Sequence, residues 1–140
     1  MFVFKKAWIV LVAATLLLTA CGSSKAVEVK ITLKEFGIES SMTDFQTGVP
    51  YRFEVTNAGA VEHEIMLMPP VATDSMGMAM NMEDMDKDAL AMIPASDLSA
   101  GAIASFDYTF TEGASQGSLE FACHTPGHYE MGMKLPITVK

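Results

Sequence analysis

Near the end of the chain, Cys123, His128 and Met133 are spaced as Cys-x4-His-x4-Met. A thiol, an imidazole and a thioether are thereby confined to one short stretch. Pro126-Gly127, between the first two, is a turn signal that brings His128 back toward Cys123. His63 lies sixty residues upstream of Cys123. A fold that uses all four residues must return the middle of the chain to the end where this last loop sits.

Two imidazoles and a thiolate, with a weak and distant thioether, form the ligand set of a blue-copper centre. Imidazole suits both Cu(II) and Cu(I). Thiolate binds Cu(I) well and also bonds covalently to Cu(II), so a trigonal plane of these donors is a compromise acceptable to both states. Zinc competes for cysteine and histidine, but thioether is a poor zinc ligand. Taken alone, His63 would read as a partly buried histidine and Cys123 as an inert buried thiol. Their company changes both readings.

The cysteine count points the same way. The chain has two cysteines. Lys5 and Lys6 followed by the apolar run Ala7 to Leu18 read as a secretory signal, too short for a membrane span. Leu18-Thr19-Ala20-Cys21-Gly22 resembles a bacterial lipobox, which implies cleavage after residue 20, lipidation of Cys21 and a membrane anchor. Cys123 then has no disulfide partner, and a lone extracytoplasmic thiol is protected by burial or by a metal.

Residues 1–20 read as signal, 21–26 as a lipidated tether and 27–140 as one domain. Loss of Lys5 and Lys6 leaves seven basic residues against 17 acidic ones, a net charge near −10. That balance argues against nucleic acid and against charge-driven adhesion to anionic lipid.

Val27 to Leu33, Tyr51 to Thr56 and Ile103 to Thr111 alternate with period two, with Phe36-Gly37-Ile38 as an extension of the first run. His63 to Met68, Ser118 to Cys123 and Leu135 to Val139 are further strands, and Gly113 to Gly117 reads as a turn. About seven short strands without a long helical pattern predict an all-β, antiparallel Greek-key β-sandwich. Residues 66–92 break the rhythm as a Met-rich insertion, with Met76, Met78, Met80 and Met82 at alternate positions. Two readings stand for it. Met78, Met82, Met85 and Met92 would form an apolar stripe on a helix. The Met-x-Met run would instead cluster thioethers selective for Cu(I).

Asn57-x-Gly59 ahead of His63, then Cys123-x-x-Pro126-Gly127-His128 and Gly132-Met133-Lys134, resemble the cupredoxins, the small blue-copper proteins. The resemblance spans most of residues 27–140 apart from the insertion. It implies a sandwich fold, one type 1 copper, outer-sphere electron transfer, and His63, Cys123, His128 and Met133 as metal ligands. Met131 is the alternative axial donor, but its spacing from His128 is less suited. His124 departs from the commonest family pattern, which has Thr or Ser there. It is expected to be a half-exposed imidazole, or else a second anchor for a metal or partner. With three histidines and no His-x-His pair, a multicopper oxidase cluster within the chain is excluded. No position remains open for substrate, so no enzyme is expected. The expected function is a membrane-anchored carrier of single electrons between extracytoplasmic redox proteins, with His128 as the exit and Pro126 and Tyr129 in a docking patch. The alternative is extracytoplasmic copper binding, delivery or resistance through the Met-rich segment.

Overall fold

Val29, Ile31 and Leu33 point into the core from β1 (Val27–Lys34), while Glu28, Lys30 and Lys34 face solvent. This is the period-two pattern of a strand covered on one face. The computed structural model describes residues 25–71, 85 and 87–140. The signal, the lipobox cysteine Cys21 and Met76, Met78, Met80 and Met82 lie outside the described residues.

Nine strands and one short 3₁₀ turn, η1 (Ala95–Asp97), are present among the described residues. After β1 come β2 (Gly37–Ser40), β3 (Asp44–Phe45), β4 (Pro50–Asn57), β5 (Ile65–Met68), β6 (Ala91–Ile93), β7 (Ile103–Thr109), β8 (Ala114–Ala122) and β9 (Lys134–Val139). They form one sheet in the order β2-β1-β4-β7 and a second in the order β3-β9-β8-β5-β6. The all-β sandwich matches expectation. Its sheets are mixed rather than antiparallel, because β1 pairs parallel with β4, and β3 parallel with β9.

Three local expectations need correction. Phe36 does not continue β1; it adopts φ 59° and turns the chain into β2, which pairs back antiparallel. The segment from Gly113 to Gly117 is not a separate turn. β8 runs through it, and a register shift between Ala114 and Leu119, with Gly117 at φ 82°, absorbs the turn residues as an irregularity in the strand. His63 does not open a strand, since β5 begins at Ile65. Met66 and Met68 belong to β5 and Met92 to β6, so both ends of the Met-rich stretch are woven into the second sheet.

Aromatic rings fill the space between the sheets. Phe45 lies 5.0 Å from Tyr51, 5.7 Å from Phe53 and 5.2 Å from Phe110. Phe53 also stacks on Phe106 at 4.8 Å and meets Phe121 at 5.4 Å. The Tyr51 hydroxyl accepts a bond from Gln46 N at 2.9 Å, which satisfies its polar end. Because Phe53 is fully buried and joins rings from both sheets, Phe53→Ala is expected to lower unfolding stability by about 3–5 kcal/mol. The measurement is the denaturant midpoint at unchanged m-value; a loss under about 1 kcal/mol would show that the ring cluster collapses to fill the space.

Candidate metal centre

The parallel pairing of β1 with β4 places the ends of both strands at one end of the sandwich, Leu33 beside Asn57. The antiparallel pairing of β5 with β8, Met66 opposite Ala122, brings the start of β5 and the end of β8 there too. Four loops therefore meet at this end: Glu35-Phe36, residues 58–64, the turn around Leu98, and residues 123–133.

Asn57 joins these loops. It is fully buried, and its Nδ2 donates to Val61 O and to Leu98 O, both at 2.8 Å. Its Oδ1 accepts from Gly59 N at 2.9 Å. Leu98 O also accepts from His63 N at 3.1 Å. The Glu35 carboxylate takes the Ala60 N–H, and Ala58 N donates to Leu33 O at 2.9 Å. The segment carrying His63 is thus held by side chains and backbone from three directions. Gly59 is required by a close approach: a Cβ there would lie 2.8 Å from Glu35 Oε1 and from His63 Nε2.

The last loop is closed by its own backbone. Cys123 N donates to Met133 O and Met133 N to His128 O, each at 3.0 Å. His128 N donates to Thr125 O at 2.9 Å around the Pro126-Gly127 turn, with Gly127 at φ 83°. Met133 is buried, whereas Met131 is 64% exposed.

Three donor atoms converge. His63 Nδ1 and His128 Nδ1 are 3.2 Å apart, and Cys123 Sγ lies 3.6 Å from His128 Nδ1 and 4.0 Å from His63 Nδ1. Bonds of zinc-like length to imidazole and thiolate would separate the corners of a trigonal plane by about 3.5 Å (N to N) and about 3.7 Å (S to N). The observed triangle therefore fits one metal ion at its centre. His63, Cys123 and His128 are the one such three-donor cluster of His, Cys, Asp and Glu among the described residues. Met133 adds a buried thioether beside them, braced to Cys123 and His128. Hydrogen bonding between the two imidazoles does not explain the triangle, since the thiol is drawn in as well. This donor set matches a type 1 copper.

Burial pushes the His63 pKa down, the neighbouring His128 adds to that effect, and Glu35 opposes it. The His63 lone pair is therefore available for a metal at neutral pH. Its Nε2 is buried without a hydrogen-bond partner among the described residues. Sequence reasoning took Asn57-x-Gly59 as part of the family resemblance and Phe36 as an extension of the first strand, and gave no role to Glu35. The edge-on contact of Phe36 with the His128 ring at 5.5 Å arises only because β1 and β4 end together.

His124 differs from expectation. The residue is 7% exposed, not half-exposed. Cys123 enters the core, and its neighbour stands on the opposite face of the sheet, where His124 N donates to Glu64 Oε1 at 2.9 Å. Tyr129 stacks on the imidazole at 4.5 Å and donates its hydroxyl to Glu120 Oε1 at 2.6 Å. Lys134 Nζ lies 4.4 Å from the Tyr129 ring centroid.

The architecture is the cupredoxin β-sandwich, and the site carries the three donor types of a blue-copper centre: imidazole, thiolate and thioether. The chain is similar in fold to auracyanin of Roseiflexus castenholzii, with TM-score 0.58, 17% identity, and coverage of 82% of this chain and 98% of that one. Auracyanin A of Chloroflexus aurantiacus, described as a blue copper protein, gives TM-score 0.56 at 16% identity over 82% and 99% of the two chains. Rusticyanin of Thiobacillus ferrooxidans gives 0.55 at 18% over 84% and 79%. In sequence, the chain is 35% identical over 94 residues to the copper-resistant cuproprotein CopI of Rubrivivax gelatinosus, across 66% of this chain. It spans about half, 53%, of that relative's length. No protein-family model matches the chain.

Two predictions follow from this geometry. Gly59→Ala is expected to displace the His63 ring and weaken Cu(II) binding by about tenfold or more, measured by chelator competition. Equal affinity would show that the loop yields instead. In the metal-free protein, the depressed pKa values of His63 and His124 mean that the unfolded chain binds more protons below about pH 6.5. Stability is therefore expected to fall on acidification below that pH. Thermal midpoints of wild type and His124→Phe between pH 7 and 5 check this, and the variant should show the weaker slope.

Proposed function

We propose that the protein is a carrier of single electrons built around one type 1 copper, with His63, Cys123, His128 and Met133 as ligands. The observation that carries this reading is the convergence of two Nδ1 atoms and one Sγ within 4.0 Å. Copper in such a site supplies a reversible one-electron change between Cu(II) and Cu(I).

The chain's own residues suit that task. His63, Cys123 and Met133 are fully buried, so water is kept from the donors. The Asn57, Leu98 and Glu35 bonds hold the loops in place, which limits rearrangement of the donors when charge changes. His128 alone of the four is partly exposed, and it is the route by which an electron leaves or enters. Phe36, Val61 and Met131, exposed at 46%, 47% and 64%, lie on three loops at this end and form the apolar surface on which a redox protein docks. The lipobox-like residues around Cys21 support a lipid-anchored position on the extracytoplasmic side of a membrane, where both redox partners would be found. No catalytic step on a substrate is assigned.

The similarity to CopI favours a second reading, in which the protein binds copper to protect the cell or deliver the metal. The two readings differ in what the copper does after it binds.

Titration of the protein with Cu(II) is expected to raise an intense visible thiolate-to-copper band that saturates near one copper per chain and is absent in Cys123→Ser. A reversible one-electron wave in protein-film voltammetry should accompany it. A colourless protein that still retains copper would sink the electron-carrier reading and leave copper handling.

A further inference from the structure

A second group of soft donors lies on the other face of the second sheet. Ile65, Leu67 and Ile93 point into the core, so Met66, Met68 and Met92 on the same two strands turn outward. Met85, in a helical turn of the connecting segment, packs onto them. Met66, Met68 and Met85 are 0%, 2% and 4% exposed, and Val71, Ala89 and Met92 border them.

The composition of this cluster is not what packing alone requires. Among the described residues, its three buried members are all methionine, whereas the eighteen buried residues of the main core include one, Met133. Leucine fills the same volume at little cost and is better defined in shape. What methionine alone adds is a thioether, a soft donor that selects Cu(I).

An independent observation marks the same face. His124 is more than nine-tenths buried, and its buried Nε2 has no hydrogen-bond partner among the described residues. A buried polar atom left unpaired costs free energy unless something occupies its lone pair. The β5–β8 register places Met66 opposite Ala122, and the His124 backbone is bonded to Glu64, the residue two before Met66. Tyr129, which covers the His124 ring, shares a hydrogen bond with the backbone of Val71 at the margin of the methionine cluster. Glu64 and Glu120 are buried carboxylates of this face, and Glu120 stands opposite Met68.

We propose that this face is a second copper site, taking Cu(I) through the thioethers of Met66, Met68 and Met85 with His124 Nε2 as the imidazole donor at its edge. It is separate from the first site: Cys123 and His124 are consecutive, yet one faces the core and the other the outer face. The site does not depend on the electron-carrier reading.

The test is an anaerobic titration of the protein with Cu(I) in competition with a chromophoric chelator such as bicinchoninate. Wild type is expected to hold two Cu(I) per chain. The triple variant Met66→Leu, Met68→Leu, Met85→Leu should hold one and keep the blue band on Cu(II) loading, which reports that it folds. Cys123→Ser should lose the blue band and keep one Cu(I), so failure at the first site is distinguished from failure at the second. His124→Phe should weaken the second Cu(I) by about tenfold; unchanged affinity would overturn its place in the site. One Cu(I) in wild type would overturn the proposal. So would a second Cu(I) that survives the triple variant and is lost only when Met76, Met78, Met80 and Met82 are replaced. Should the triple variant fail to fold, methionine-methyl NMR of wild type with Ag(I) decides: shifts at Met66, Met68 and Met85 but not at Met131 support the site, and their absence sinks it.

Discussion

The carbonyl oxygen of Leu98 receives two hydrogen bonds, one from His63 N and one from Asn57 Nδ2. Through it the end of β4, the segment carrying His63 and the turn after η1 become one unit. A histidine buried among apolar side chains loses its hydration, and its seat must be fixed by the backbone around it. Asn57 supplies that fixation with both ends of its amide, and Gly59 leaves room for the ring. The donor triangle depends on this frame, because among the described residues the loop that holds Cys123 and His128 makes no backbone–backbone bond to His63.

The mixed pairing of the strands matters for the same reason. Had β1 run antiparallel to β4, its end would lie at the far end of the sandwich. Glu35 could then not bond to Ala60, nor Phe36 cover the edge of His128. Parallel pairing instead brings a carboxylate and an aromatic ring to the site end. The positive φ of Phe36, an uncommon conformation for a residue with a bulky side chain, is accepted at that point.

β5 is the strand on which both faces of the second sheet depend. All four of its residues are buried. Two contribute to the core between the sheets, and the other two are covered by the Met85 turn and the residues around it. β8 has the same two-sided character at its end, where a thiol on one face is followed by an imidazole on the other. The peptide between Cys123 and His124 thus joins two distinct environments, the core between the sheets and an outer face where His124 meets the Tyr129 ring and the Glu64 carboxylate.

Much of this was legible in the chain. Alternation marked β1, β4 and β7, because a sheet with one covered face repeats its apolar residues every second position. The closeness of Cys123, His128 and Met133 could be read from spacing and from Pro126-Gly127, since a loop of that length permits few paths. β3 and β6 were not legible, being too short to show a period. β8 was read too short because Gly113 and Gly117 signal a turn, while the register shift hides them inside a strand. The kinds of donor, their order and the tightness of the last loop were therefore set by the sequence itself, through local geometry. Only the tertiary structure decided that His63 meets them, that Phe36 stands against His128, and that His124 is buried on the outer face of the second sheet. Those facts rest on pairings between residues far apart in the chain, and such pairings are chosen by the packing of whole sheets rather than by any local preference.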